Sequence, residues 1–199
     1  IYNFCAGPAM LPAEVMQQAQ AEFINWQGLG CSVMEISHRS KEFIAVAEQA
    51  EQDLRDLLGV PDHYSVLFAH GGGRGQFSAV PQNLAHAQQS AAYLVNGSWS
   101  EGAHKEGGKY LNAQVVGRSV VEQGLAYVPK IQAADVDQDF AFYHYCPNET
   151  VEGMEINWLP ETGKVPLVAD MSSCILSKQI DVSKFGLIYA GAQKNIGPS

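Results

Sequence analysis

The stretch VPLVADMSSCILSKQIDVSKFGLIYAGAQKNIGPS, residues Val165–Ser199, decides the fold. It holds two short apolar runs, Val165–Ala169 and Gly186–Ala190, each the length of a buried strand and each ending in small or polar residues. The first run delivers Asp170 at its carboxyl end, and the second delivers Gln193 and Lys194 just beyond its own. Ligands of open α/β sheets bind outside the carboxyl ends of the strands. The pattern therefore projects one carboxylate and one amine toward a common site. A lysine amine condenses with an aldehyde, of which pyridoxal 5'-phosphate (PLP) is the usual one, and a carboxylate beside the pyridine nitrogen keeps it protonated. Taken alone the pair is weak, because most strand-end Asp and Lys residues are surface charges or caps.

Working back from that stretch, strands alternate with helices. Tyr64–Ala69 (YSVLFA) reads as a buried strand, Ala92–Val95 as another, a third lies near Gln114–Val116, and Asp139–Cys146 alternates apolar and aromatic residues as a fourth. Between them, Pro12 opens a helix whose apolar face is Val15, Ala19, Phe23 and Trp26, ended by Gly28 and Gly30. Phe43, Val46, Ala47, Ala50, Leu54, Leu57 and Leu58 recur at helical spacing up to Gly59 and Pro61. A further helix runs from about Ser100 to Tyr110. Ile1–Met10 reads as an irregular arm, Ser32–Ile36 as a short, partly apolar piece, and Gly153–Trp158 as a small hairpin element. The alternation predicts an α/β fold: a mostly parallel sheet flanked by helices, with no interior domain boundary.

The 199 residues suffice for one sizeable domain, and their 46% hydrophobic and 17% charged content is that of a globular chain. A formal net charge of −9 excludes a general nucleic-acid or anionic-membrane binder, though not small anions held by a local Arg/His cluster. Cys5, Cys31, Cys146 and Cys174 are scattered without metal spacing and read as reduced thiols. With no signal peptide and no apolar run approaching the ~18 residues of a membrane span, the expected location is cytoplasmic.

Four further features bear on chemistry. His70-Gly71-Gly72-Gly73-Arg74-Gly75-Gln76 links the expected YSVLFA strand to a helical pattern, the context of a phosphate cradle, although it matches neither the P-loop nor G-x-G-x-x-G. It reads either as an anion site, which Arg74 favours, or as a flexible turn. Pro81 sits either in the first turns of that helix or at a kink. His38-Arg39 is either an anion fork or a solvated surface pair. Trp99, after Asn96-Gly97-Ser98, is either a core residue or a ring that stacks on a planar ligand. Thr150 is a loop hydroxyl, and His144, among aromatic neighbours, reads as core. The glycine loop, Trp99, Thr150, Asp170 and the Gln193-Lys194 pair each fall at an expected strand-to-loop junction, and that agreement supports a PLP site.

With these residues in place, the chain resembles the phosphoserine aminotransferases, a family of class V PLP-dependent aminotransferases with the aspartate-aminotransferase fold. The resemblance runs through GPAMLPAEV at 7–15, SVMEISHRSKEF at 32–43, HGGGRGQF at 70–77, HYCPNET at 144–150 and IYAGAQKNIGP at 188–198. It implies that Lys194 binds the cofactor aldehyde and shuttles the proton, and that Asp170 pairs with the pyridinium nitrogen. Gly73, Arg74 and Gln193 would hold the phosphate, Trp99 would stack on the ring, and Thr150 would bond the phenolic oxygen. Arg39 would bind a substrate carboxylate, with His38 and Arg74 near the substrate's second anionic group. The implied reaction moves the amino group of L-glutamate to 3-phosphohydroxypyruvate, giving O-phospho-L-serine and 2-oxoglutarate, with a homologous step of pyridoxine synthesis in some bacteria. Burial and a cationic neighbourhood are both expected to lower the pKa of Lys194.

The family implies a homodimer with shared sites and about twice this length. The 199 residues are thus expected to be the N-terminal part of the large PLP-binding domain, without the small C-terminal domain, and to be inactive by themselves. The alternatives are another class V PLP enzyme or a non-catalytic nucleotide-binding α/β module.

Overall fold

In the computed structural model, residues 2–198 are described, with the side chain of Asp135 set aside. Ile1 of the expected arm and Ser199 of the closing stretch lie outside them. The centre is a five-stranded parallel sheet built from β1 (Ser90–Val95), β2 (Asn112–Arg118), β5 (Tyr143–Tyr145), β8 (Leu167–Asp170) and β9 (Leu187–Tyr189), in the order β2-β1-β5-β8-β9. Two small antiparallel hairpins stand apart from it. One is β3 (Val120–Glu122) with β4 (Leu125–Tyr127), and the other is β6 (Asn148–Glu149) with β7 (Met154–Glu155).

Side chains alternate across the sheet and sort the core into two layers. His144 pairs with Tyr93 and Val168, and Asp170 pairs with Tyr189, so these residues share one face. That face packs against α3 (Gly72–Leu84) and α4 (Ser98–Gly107) through Phe77, Val80 and Ala103. The opposite face carries Leu94, Tyr143, Tyr145, Leu167 and Ala169. It is covered mainly by residues from loops, among them Val136, Phe140, Ile156 and Phe185, with the helical Leu58 also packed against it. The expected parallel sheet is therefore present, with its helices concentrated on one side.

Several expectations need correction. Tyr64–Ala69 is not a buried strand: it has no ladder partner among the described residues, and Leu67 and Phe68 are 84% and 62% exposed. An apolar run becomes a strand only where a neighbouring edge supplies hydrogen bonds, and no described strand offers one here. Helix α1 (Ala13–Glu22) begins one residue after Pro12 and ends before Phe23, and it buries nothing. Its expected face is exposed at Val15 and Phe23, while Trp26 is buried from a separate 3-10 turn, Trp26–Gly28. Helix α2 (Lys41–Leu58) has its expected length, an N-cap at Ser40 and a left-handed stop at Gly59, yet none of its residues is fully buried. In both helices the periodicity is real, but the α1 stripe stays exposed, whereas the α2 stripe of Phe43, Ala47, Ala50, Leu54 and Leu58 is half-buried, with Leu58 packed against the core.

The piece at Ser32–Ile36 is a 3-10 turn, Val33–Glu35, closed by a capping box between Ser32 and Glu35. Pro81 lies buried toward the end of α3, not in its first turns. The strand expected over Asp139–Cys146 narrows to β5. The β3–β4 hairpin went unforeseen although Gln123-Gly124, both at positive φ (51° and 80°), is the kind of two-residue turn that announces one. The four cysteines are free. Among the described residues, no helix is long and apolar enough to cross a membrane.

Candidate active site

The carboxyl ends of β5, β8 and β9 open into a cavity of about 330 Å³, within the usual size of small-molecule sites. Asp170 is the last residue of β8, and Gln193 and Lys194 follow β9 in a short turn. Gly73 and Arg74 enter from the first turn of α3, Trp99 from the first turn of α4, and Thr150 from the end of β6. All seven line the cavity. The placement of two differs from the expected strand-to-loop junctions: Trp99 is helical, and the glycine loop follows an unpaired segment rather than a strand. His38 and Arg39 are exposed and are not among the lining residues.

Lys194 Nζ donates to Thr150 Oγ1 at 2.6 Å. Burial lowers the pKa of this amine, while Asp170 and Cys174 act in the opposite direction. The depression thus has one of the two expected causes; among the described residues no cationic neighbour contributes. The arm reaches this segment as well. Ala9 N donates to the Gln193 carbonyl at 2.8 Å, and a Cβ on Gly7 would stand 3.1 Å from Lys194 Cε.

Asp170 is 7% exposed, and burial pushes its pKa up against hydrogen bonds from Ser172 and Tyr189 and the charge of Lys194. Its Oδ1 accepts from the backbone N–H of Ser172 at 3.0 Å and from the Ser172 hydroxyl at 2.6 Å. Behind the carboxylate, Tyr189 and His144 continue the chain, with His144 Nε2 2.8 Å from Tyr189 Oη. Burial holds His144 neutral by pulling its pKa down to about 3, so the expectation of a core histidine is met. If Tyr189 gives its one proton to Asp170, His144 must donate from Nε2. Its unpartnered Nδ1 is then a bare lone pair, which costs less than an orphaned N–H.

The start of α3 is open. Its N-cap is Gly71, at φ 93°, and no side chain caps the helix among the described residues. The first N–H groups of a helix have no intrahelical acceptor and attract anions. Gly73 has no room for a side chain, since a Cβ there would lie 2.9 Å from Ser172 Oγ. The guanidinium of Arg74 sits over the Trp99 ring, 5.8 Å from its centroid.

Sequence reasoning missed Ser172, Asn148, Tyr189 and Glu149. Ser172 was within reach, because Asp170-Met171-Ser172 is the Asx pattern in which a carboxylate accepts from the residue two positions on. Asn148, which donates to Ser173 Oγ at 2.9 Å, and Glu149 gave no separate signal.

Against this geometry, comparison with known proteins is specific. The aminotransferase class-V family model matches residues 1–199, so the chain belongs to that family. It is 58% identical over 202 residues to phosphoserine aminotransferase of Shewanella baltica, a match covering 100% of this chain and 55% of the relative. Among solved structures, phosphoserine aminotransferase from Bacillus circulans subsp. alkalophilus superimposes with a TM-score of 0.93 at 44% identity, over 100% of this chain and 55% of that one. PLP-bound phosphoserine aminotransferase from Trichomonas vaginalis gives 0.89 at 38% identity, over 98% and 58%. The chain thus spans about half the length of the relatives it matches.

Proposed function

We propose that the protein carrying this chain is a PLP-dependent transaminase that moves the amino group of L-glutamate to 3-phosphohydroxypyruvate, forming O-phospho-L-serine and 2-oxoglutarate. The observation that carries the reading is the cavity in which the Lys194 amine, the Asp170 carboxylate and the uncapped start of α3 meet. These residues fit the cofactor: a slot at Gly73 that a methyl group would fill, helix N–H groups for a phosphate, and a buried acid for a pyridine nitrogen.

When bound, PLP supplies the electron sink that stabilises a carbanion at the substrate Cα. Gly73, Arg74 and Gln193 would hold its phosphate, Trp99 would cover its ring, Thr150 would bond its phenolic oxygen, and Asp170 would hold a proton at its nitrogen. Lys194 moves the proton at the substrate Cα. Burial favours its neutral form, the form that accepts a proton. Arg39 binds a substrate carboxylate, with His38 and Arg74 at the second anionic group. The 199 residues form the N-terminal part of the large cofactor domain, in a cytoplasmic homodimer. The 58% identity to a phosphoserine aminotransferase supports this substrate pair over those of other class V enzymes.

Borohydride reduction of the full-length protein, followed by peptide mass spectrometry, tests the reading. The expected result is a pyridoxyl group on the peptide containing Lys194, together with glutamate-dependent amination of 3-phosphohydroxypyruvate. Protein without the adduct and without that turnover would overturn it.

A further inference from the structure

Glu149 is fully buried, with 0% of its surface exposed, in a small antiparallel hairpin beside the parallel sheet. Buried carboxylates are rare without strong partners. Its partners all belong to the first turn of α4. Glu149 Oε2 accepts from the backbone N–H of Trp99 at 3.0 Å, and Oε1 accepts from the backbone N–H of Ser100 at 2.7 Å and from the Ser100 hydroxyl at 2.6 Å. The same hydroxyl accepts from the N–H groups of Asn96 and Gly97, which tightens the turn from the other side. Gly97 leaves the carboxylate its room, because a Cβ there would lie 2.6 Å from Glu149 Cγ.

This cap comes from 49 and 50 residues away in the chain, and it fixes the backbone of the residue whose ring lines the cavity. The next residue, Thr150, bonds Lys194 Nζ. One dipeptide therefore reaches Trp99 with its first residue and the amine with its second. A second acid at the same helix start provides the contrast. Glu152 accepts from the N–H and hydroxyl of Ser98, but it is exposed and touches neither Trp99 nor Ser100 in these bonds.

We infer that Glu149 is a positioning residue for Trp99: its buried carboxylate caps α4 from a separate hairpin and so sets where the indole ring stands over the cavity. The inference rests on the cofactor reading of that cavity.

The test uses the full-length protein labelled with 5-fluorotryptophan, with the Trp99 fluorine resonance assigned by its loss in Trp99→Phe. In Glu149→Gln an amide N–H₂ opposes one of the backbone donors. The Trp99 resonance of the cofactor-free protein is expected to shift or broaden, and PLP to bind about tenfold more weakly. In a Trp99→Phe background the same change should weaken PLP by less than about threefold, because the two residues act as one unit. Glu152→Gln should leave the resonance and the PLP affinity at wild-type values.

An unchanged Trp99 resonance and PLP affinity in folded Glu149→Gln would overturn the inference. Equal losses with and without Trp99 would do the same. Should Glu149→Gln not fold, Glu149→Asp keeps the carboxylate but shortens its reach to the N–H groups of Trp99 and Ser100, and the same two readouts apply to it. If the wild-type protein binds no PLP, the cofactor reading fails, while the Trp99 resonance of the cofactor-free variants still decides whether Glu149 positions the ring.

Discussion

Helices α3 and α4 pack against each other on one face of the sheet, and their starts are treated in opposite ways. Each presents N–H groups that no helical carbonyl can reach. At α4 the protein satisfies them itself, with the buried carboxylate of Glu149 and the exposed one of Glu152. At α3 no side chain among the described residues caps the helix, and a Cβ at Gly73 would lie 2.9 Å from Ser172 Oγ. The same electrostatic need is thus met by side chains in one helix and by none among the described residues in the other. The two helix starts lie in one layer and differ in whether the chain itself supplies the acceptors.

Exchanging these two roles by mutation breaks the comparison most sharply. Glu149→Ala leaves the N–H groups of Trp99 and Ser100 without their acceptor, while the Ser100 hydroxyl keeps the Gly97 carbonyl at 3.1 Å. Unfolding in urea should show a loss of roughly 2–4 kcal/mol even without any cofactor. Gly73→Val should act chiefly on binding. Its Cβ would lie 2.9 Å from Ser172 Oγ, so stability in urea should fall by roughly 1–3 kcal/mol, whereas PLP affinity measured by absorbance titration should fall about 100-fold or more. A Gly73→Val protein that bound PLP normally would mean that the open helix start is not the phosphate site. The smallest effect belongs to Glu152→Gln, whose solvent-exposed cap should cost no more than about 0.5 kcal/mol. A loss there as large as at Glu149 would show that burial is not what distinguishes the two acids.

Legibility in the sequence followed the range of the interaction concerned. The runs at Val165–Ala169 and Gly186–Ala190 were readable because a buried parallel strand is a short apolar run, and their polar ends marked Asp170 and Lys194. The length of α2 was readable from Ser40 and Gly59, which act within one turn. The Tyr64–Ala69 segment misled because apolar composition carries no statement about which edge it pairs with. The α1 stripe misled for the same reason, since amphipathic spacing does not say that something covers it. Glu149 was invisible because an acid in a loop looks solvated, and only the approach of α4 from 49 and 50 residues away makes it a cap.

By itself the sequence determined the α/β alternation, the start and stop of α2, the polar ends of β8 and β9 and the identities of the amine and the carboxylate. These depend on periodicity, backbone preference and side-chain chemistry, all of which act locally. Tertiary structure alone decided that Lys194 bonds Thr150 and that Tyr189 and His144 stand behind Asp170. It also decided that one helix start is filled while its neighbour is open. Those are relations between segments far apart in the chain. They arise only when the sheet brings its strand ends together and removes water, so that each buried polar group must find a partner there.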